Sequence, residues 1–87
     1  MGEPDLEAAK TQLRIGAEAL AGGRMADAER AFQDALSLSP GYAPANHNLG
    51  LIRLRRGDPS SALPYLEAAA QAMPSGTTFV ALAECYD

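Results

Sequence analysis

Apolar residues recur at helical spacing along most of the chain, and glycine or proline interrupts each run. In the first run Leu6, Ala9, Leu13 and Leu20 are separated by multiples of three to four residues. This spacing places them on one face of an α-helix. Because Gly22-Gly23 interrupts the run, the pattern predicts a first helix that ends near residue 21.

Three further runs carry the same spacing and are bounded by turn residues. The second ends at Pro40-Gly41, and the third begins near Pro44 and ends before Gly57. Asp58-Pro59 has the form of an N-cap followed by a first-position proline, so a fourth helix is expected to begin there and to end at Pro74. These runs predict two helical hairpins.

A fifth helix is expected after Ser75. Phe79, Leu82, Ala83 and Tyr86 fall on one of its faces. At the other end of the chain, Pro4 between two acidic residues indicates the opening of the first helix.

The second predicted hairpin repeats the first at a constant offset of 34 residues. Repetition at such a period indicates stacked units, each of which needs a neighbour to bury its inner face. The recurring pairs are Gly16 and Gly50, Gly23 and Gly57, Ala28 and Ala62, and Pro40 and Pro74.

The charge of the chain disfavours two classes of partner. Eleven Asp and Glu against seven Lys and Arg give a net charge of −4, whereas nucleic acid and anionic membranes require a dense basic face. Arg53, Arg55 and Arg56 form a short basic cluster. It is interpreted either as a solvated helix end whose cations complement the helix dipole or as a contact for an acidic partner.

Candidate chemistry is sparse in this sequence. The sequence has no run of apolar residues long enough for a membrane span, and its first residues do not resemble a secretion signal. We therefore expect a cytoplasmic protein. Cys85 and His47 are the only residues of their types, so no disulfide, metal site or catalytic constellation is predicted. The expectation is a protein without enzymatic activity and without a cofactor.

The repeat resembles the tetratricopeptide repeat, a helical hairpin of 34 residues. Aligned on Gly16, the N-terminal helix start covers 1–8, the first repeat 9–42, the second 43–75 and a terminal helix 76–87. The matching positions are Gly16, Gly23, Ala28, Phe32, Ala35 and Pro40 in the first repeat, Leu49, Gly50, Gly57, Ala62, Leu66, Ala69 and Pro74 in the second, and Phe79, Leu82, Ala83 and Tyr86 in the third.

The resemblance implies one all-α domain. It is an α-solenoid of two tetratricopeptide-like hairpins plus a C-terminal helix, five helices in all, in which the last helix is either a cap or half of a third repeat. Phe32 and Leu66 are expected to fill the gap to the next hairpin. The family prefers aromatic residues at four positions where this chain has other types, so looser packing is expected at Gln12, Ala19, Asn46 and Arg53.

The resemblance also implies a function in protein–protein interaction. In the family the first helix of each hairpin lines a concave groove, and an apolar floor with a few polar groups suits a peptide or an amphipathic helix. The subtype that clamps the C-terminal carboxylates of chaperones is matched only through Asn48, so that ligand is not expected. The predicted peptide-binding residues are Leu13, Arg14, Ala17, His47, Asn48, Leu51 and Arg55.

Three alternatives remain open from the sequence. The chain is the recognition part of a longer protein or enzyme; it associates with itself through Val80 and Ala81, which an unfinished stack leaves uncovered; or it is a small scaffold that is modified at its end, at Cys85 or Asp87. The partner is accordingly a protein, a peptide or a second copy of the chain.

Overall fold

A computed structural model of the chain describes residues 5–86. This range consists of five helices without a strand, and none of the helices is long and apolar enough to cross a membrane. Helices α1 and α2 pack as one hairpin and α3 and α4 as a second, α2 packs on α3, and the last helix packs on α4 and α3. The predicted all-α solenoid is confirmed. The helices are α1 (Leu6–Ala21), α2 (Met25–Leu38), α3 (Ala43–Arg55), α4 (Pro59–Ala72) and α5 (Gly76–Tyr86).

Aspartate side chains cap two of the helices. The Asp5 side chain accepts a hydrogen bond from the Ala8 backbone N–H at 3.0 Å, which fixes the start of α1. Pro4, the predicted opening residue, lies outside the described range. At the start of α4 the Asp58 side chain accepts from the Ser61 N–H at 3.3 Å, and Pro59 is the first helical residue. The cap predicted at Asp58 is therefore confirmed.

Glycines set the distance between the two helices of each hairpin. A Cβ atom added at Gly16 would lie 2.5 Å from a ring carbon of Phe32, and one added at Gly50 would overlap the Leu66 side chain. Phe32 and Leu66 are fully buried. Each was expected to fill the gap to the next hairpin, and each does cluster with residues of the following unit, Phe32 with α3 and Leu66 with α5. The missing Cβ also makes room for each of them within its own hairpin.

The buried residues form two clusters that share α3. The first joins α1, α2 and α3, and the second joins α4 and α5 with half-buried leucines of α3 packed against it. Ala19 and Asn46 are buried, so the looser packing expected at these two positions is not observed. The first cluster contains Ala9, Ala19, Ala28, Phe32, Ala35, Ala45, Leu49 and Ile52, and the second contains Ala62, Leu66 and Ala81.

An ion-pair network joins α2 to the end of α3. The Glu29 carboxylate lies 2.6 Å from Arg53 Nη2 and 2.7 Å from Arg56 Nη1, and Arg53 Nη1 donates to Ser61 Oγ at 2.8 Å. Two of the three clustered arginines therefore join helices of the stack. The interpretation of the cluster as a solvated helix end is wrong for Arg53, which is half-buried, while Arg55 is exposed.

Helix α5 packs through a different face from the one expected. Thr78 and Ala81 are its buried residues, whereas Phe79 is 52% exposed and Tyr86 is 68% exposed. Of the residues expected on its apolar face, Phe79, Ala83 and Tyr86 thus face solvent, whereas Leu82 is half-buried against the second cluster. Ala81, expected to be uncovered, is 3% exposed because it packs in the second cluster.

Candidate functional site

Three of the predicted binding residues, Leu13, Arg14 and Ala17, lie on α1. Leu13 is half-buried and packs against the first core cluster. Arg14 and Ala17 are exposed, and Arg14 Nη1 lies 3.7 Å from the Glu18 carboxylate. An exposed pair of this kind contributes little to stability, so the Arg14 guanidinium remains accessible to a ligand.

A surface pocket of about 240 Å³ lies where the first half of α3, the end of α4 and the start of α5 meet. The predicted binding residues His47 and Asn48 both line it. They are neighbours in sequence and half-buried, on the part of α3 nearest to α5. The complete lining consists of Ala43, Pro44, His47, Asn48, Ala69, Met73, Ser75, Thr77 and Thr78.

A chain of hydrogen bonds fixes one wall of this pocket. His47 Nδ1 and Thr78 Oγ1 are 2.8 Å apart, and Thr78 Oγ1 lies 3.1 Å from Ser75 Oγ. The Thr78 backbone N–H donates to Ser75 Oγ at 3.2 Å. Burial lowers the pKa of His47 from its ordinary value, so the imidazole is mainly neutral at pH 7. A neutral ring offers one donor and one acceptor to its surroundings.

The other two predicted residues of α3 lie outside the pocket. Leu51, one turn further along, is half-buried and packs against the second core cluster. Arg55 lies a further turn along and is exposed. The structure therefore brings together two of the seven predicted residues in one concavity and distributes the others along α1 and α3.

Sequence reasoning missed the pocket residues Pro44, Met73 and Ser75. Met73 and Ser75 belong to the connection between α4 and α5, whose path depends on how the helices pack. The only sequence signal in this connection was a polar residue, Ser75, next to Pro74. A serine at this place is equally well explained as a helix cap. The pocket combines amide, imidazole and hydroxyl groups with apolar walls, which allows it to hydrogen-bond a peptide backbone and hold an apolar side chain.

Cys85, predicted as a modification site, is half-buried and packs against the second core cluster. Burial, the Glu84 carboxylate and the Glu67 carboxylate raise the pKa of its thiol. A raised pKa reduces the fraction of reactive thiolate, so the folded environment disfavours this site. Asp87 lies outside the described residues. Within residues 5–86 there is no cluster of His, Cys, Asp and Glu able to hold a metal ion.

The chain is similar to a segment of two much longer bacterial proteins. It is 37% identical over 73 residues to cellulose synthase operon protein C of Komagataeibacter xylinus and 36% identical over 73 residues to the protein of the same name from Komagataeibacter sucrofermentans. Each match covers 84% of this chain and spans only 5% of the relative's length. No protein-family model matches the chain.

Proposed function

We propose that the chain is a tetratricopeptide-like interaction module that binds a peptide or an amphipathic helix of a protein partner. Helices α1, α3 and α5 are the first helices of successive repeats, and the ligand lies along the surface they share. The observation that carries the proposal is the pocket at the start of α3. It combines the side chains of His47 and Asn48 with hydroxyl groups of α5 and with apolar walls.

The chemistry of this surface fits a peptide. The Asn48 amide is both a donor and an acceptor, so it is able to pair with a peptide backbone regardless of the side chain that the peptide presents. Leu13 and Leu51 are half-buried and provide apolar contact further along the surface. The guanidinium groups of Arg14 and Arg55 are exposed and add charge selectivity at its edges.

We also propose that the module acts without catalysis or a cofactor. Nδ1 of the chain's one histidine is engaged with Thr78, and the pKa of its one cysteine is raised. The raised pKa disfavours the thiolate that nucleophilic chemistry at Cys85 would require. Activity assays on the isolated chain with generic ester and phosphate substrates are expected to show only background rates.

The proposed groove is tested by selecting peptides from a displayed random library on the wild-type chain. The affinity of the enriched peptides is then measured with the double variant Asn48→Ala/Arg55→Glu. We expect a loss of about tenfold or more with helicity and melting temperature nearly unchanged, because Arg55 is exposed and Asn48 is only half-buried.

The control variant makes the same chemical changes away from the groove. Gln71→Ala/Arg30→Glu alters exposed residues of α4 and α2, the second helices of the two hairpins, and is expected to bind as the wild type does. Undiminished binding by the Asn48→Ala/Arg55→Glu variant would refute the groove as the binding site.

A second proposal is that the module serves as the recognition part of a longer protein. The observation in its favour is that the relatives match over most of this chain but only over 5% of their own length. The intact mass of the protein isolated from its native cells tests this. A mass near 9.1 kDa would support a small independent adaptor, and a much larger mass would support the longer protein.

A further inference from the structure

The two hairpins are joined by charged side chains at one end of the contact between α2 and α3. We define the ion-pair cluster as Glu29 of α2 with Arg53 and Arg56 at the C-terminal end of α3. Each carboxylate oxygen of Glu29 contacts a different guanidinium: Oε2 lies 2.6 Å from Arg53 Nη2, and Oε1 lies 2.7 Å from Arg56 Nη1. Short charge-assisted contacts of this kind add geometric specificity, so the cluster restrains the orientation of α2 on α3.

The Arg53 side chain is itself held by the second hairpin. Its Nη1 donates to Ser61 Oγ at 2.8 Å, and its Cζ lies over the Tyr65 ring, 5.6 Å from the centroid. Ser61 and Tyr65 both belong to α4. Only 23% of the Arg53 side chain and 13% of the Glu29 side chain are exposed. Glu29 therefore contacts a guanidinium whose orientation α4 fixes, and the cluster connects the first hairpin to both helices of the second.

The repeat does not require charge at this place. The residue 34 positions after Glu29 is Leu63, which is half-buried in the second hairpin. Apolar residues of similar volume often stabilise a protein as much as a buried ion pair does, because the removal of charges from water offsets their attraction. Arg53 Nε adds to this cost, since it is buried and has no hydrogen-bond partner within residues 5–86. The cluster is therefore better explained by the orientation it imposes than by net stability.

The cluster lies at the opposite end of α2 and α3 from their connection. Residues 39–42 join the two helices at one end, and the cluster joins the beginning of α2 to the end of α3. Between these ends the helices share an apolar core cluster, with Phe32 of α2 and Leu49 of α3 among its residues, and apolar packing is non-directional. Helix α1 packs mainly on α2. The spacing of α1 and α3 along the proposed groove thus depends on the angle of α2 on α3.

We propose that Glu29 is a positioning residue for the groove: its ion pairs with Arg53 and Arg56 fix the angle between the hairpins and thereby the spacing of α1 and α3. This inference rests on the proposed function and adds what determines the width of its binding surface. A partner segment that contacts both hairpins needs this spacing, whereas a segment confined to the pocket at the start of α3 does not. Loss of the cluster therefore weakens the first kind of segment selectively.

The first test measures the spacing without any ligand. Nitroxide labels are attached at Ala21→Cys and Arg55→Cys, exposed positions 34 residues apart near the cluster end of α1 and α3, in a Cys85→Ala background. Double electron–electron resonance gives the distance between them. The variant Glu29→Gln replaces the carboxylate by an amide of nearly the same volume and removes both ion pairs. Because α3 is about 20 Å long, a rotation of roughly 10° about residues 39–42 shifts the mean label distance by about 3 Å, which is the change we expect.

Ser61→Ala separates positioning from a merely structural role. It also removes a hydrogen bond of Arg53, but this bond lies within the second hairpin. We expect Ser61→Ala to lower the melting temperature and to leave the label distance between α1 and α3 unchanged. A reference label pair at Arg55→Cys and Gln71→Cys lies within the second hairpin, and its distance should be the same with and without Glu29→Gln.

Two further variants test the charge and the size of the effect. Asp27→Asn makes the same change of carboxylate to amide on α2, in an exposed pair 3.8 Å from Arg24, and should match the wild type in label distance. Arg56→Gln removes only the more exposed partner of Glu29 and should give a smaller shift than Glu29→Gln. Circular dichroism verifies that each variant folds.

The second test uses the peptides selected from the random library on the wild-type chain. Peptides weakened by both Arg14→Glu and Asn48→Ala contact both hairpins, and peptides weakened by Asn48→Ala alone contact only the second. We expect Glu29→Gln to weaken the first group about fivefold or more and to leave the second group unchanged. Ser61→Ala should leave the affinity of both groups unchanged.

Three results would overturn the proposal. The first is an unchanged label distance between α1 and α3 in Glu29→Gln. The second is an equal shift in Ser61→Ala, which would assign the cluster a structural role alone. The third is a shifted distance with wild-type affinity for peptides that contact both hairpins. Failure of the groove itself is recognised separately, because it appears as undiminished binding by Asn48→Ala/Arg55→Glu in a chain that keeps Glu29.

Discussion

At the scale of single residues, the glycines inside α1 and α3 determine how closely the helices of each hairpin approach. Glycine is a poor helix former, about 1 kcal/mol worse than alanine, so its presence in mid-helix needs a packing reason. Phe32 gives that reason at Gly16, since its ring occupies the space that a Cβ would need. Leu66 and Gly50 have the same relation, so in both repeats a glycine makes room for a large apolar side chain of the second helix.

We predict that Gly16→Ala destabilises the chain despite the better helix propensity of alanine. The new methyl group would lie 2.5 Å from a fully buried ring. Overpacking of this kind costs about 1–3 kcal/mol, so a net loss of roughly 1 kcal/mol remains after the gain in propensity. Urea denaturation measures the change.

The control for this prediction is Gly76→Ala at the first residue of α5. Nothing lies within 4 Å of a Cβ added there, so its stability should be unchanged or slightly raised. A stabilised Gly16→Ala variant would contradict the prediction, because it would mean that Phe32 moves aside at little cost.

At the scale of elements, two kinds of contact hold α5 against the rest of the stack. Its buried residues Thr78 and Ala81 pack against α3 and α4, and the His47 to Thr78 hydrogen bond ties its first turn to α3. The connection before α5 contributes Ser75 to the same hydrogen-bond chain. The hydrogen bonds that form the pocket wall therefore also hold the last helix in place.

We predict that the stability of the chain decreases as the pH falls below about 6.5, the ordinary pKa of histidine. Burial lowers the pKa of His47 in the folded chain, so the unfolded chain binds the proton more tightly. The contribution is present above the unfolded pKa and is lost as the pH falls through the folded pKa. Urea midpoints at pH 7.5 and pH 5.5 measure this loss for the wild type and for His47→Gln.

The chain has one histidine, so the difference between these two proteins isolates its effect from the titration of the carboxyl groups. Thr78→Val serves as the control: it removes the hydrogen bond but leaves most of the burial, and should lower stability at both pH values. Parallel pH dependence of the wild type and His47→Gln would show that His47 does not couple to folding.

At the scale of the whole molecule, the sequence was informative where structure is determined locally. Helical spacing, Asp58 as a cap and glycine or proline at the turns predicted five helices and their pairing, because these signals act within a few residues. Two of the nine pocket residues were predicted, His47 and Asn48, which are adjacent on one helix. Met73 and Ser75 come from a connection whose course depends on packing, so local pattern did not indicate them.

Long-range pairs were not predictable for the same reason. Glu29 looks like any charge on the polar face of α2, and only the stack brings it to Arg53 and Arg56 of α3. Periodicity also found that Phe79 and Tyr86 share a face of α5, but it cannot tell whether a neighbour covers that face. In the structure Thr78 and Ala81 form the packed side instead.

Because α3 contributes to both packed regions, we predict that the position of a mutation along the stack decides how much of the chain unfolds. Leu49→Ala removes a fully buried side chain of α3. A cavity there costs about 2–5 kcal/mol, a large share of the stability of a small domain, and we expect it to expose all five helices to hydrogen exchange. Ala81→Asp places a charge in the contact of α5 with α4 and should release α5 alone.

Far-UV circular dichroism and hydrogen exchange read by mass spectrometry distinguish these outcomes. Ala81→Asp should lose the helical signal of α5 and keep protection in α1 to α4, while the exposed neighbour Ala83→Asp should retain the wild-type pattern. If Ala81→Asp instead removed protection from α1 and α2, the helices would unfold as one cooperative unit. The packing of α5 would then depend on the whole stack, and a ligand bound in the groove would stabilise α5 as well.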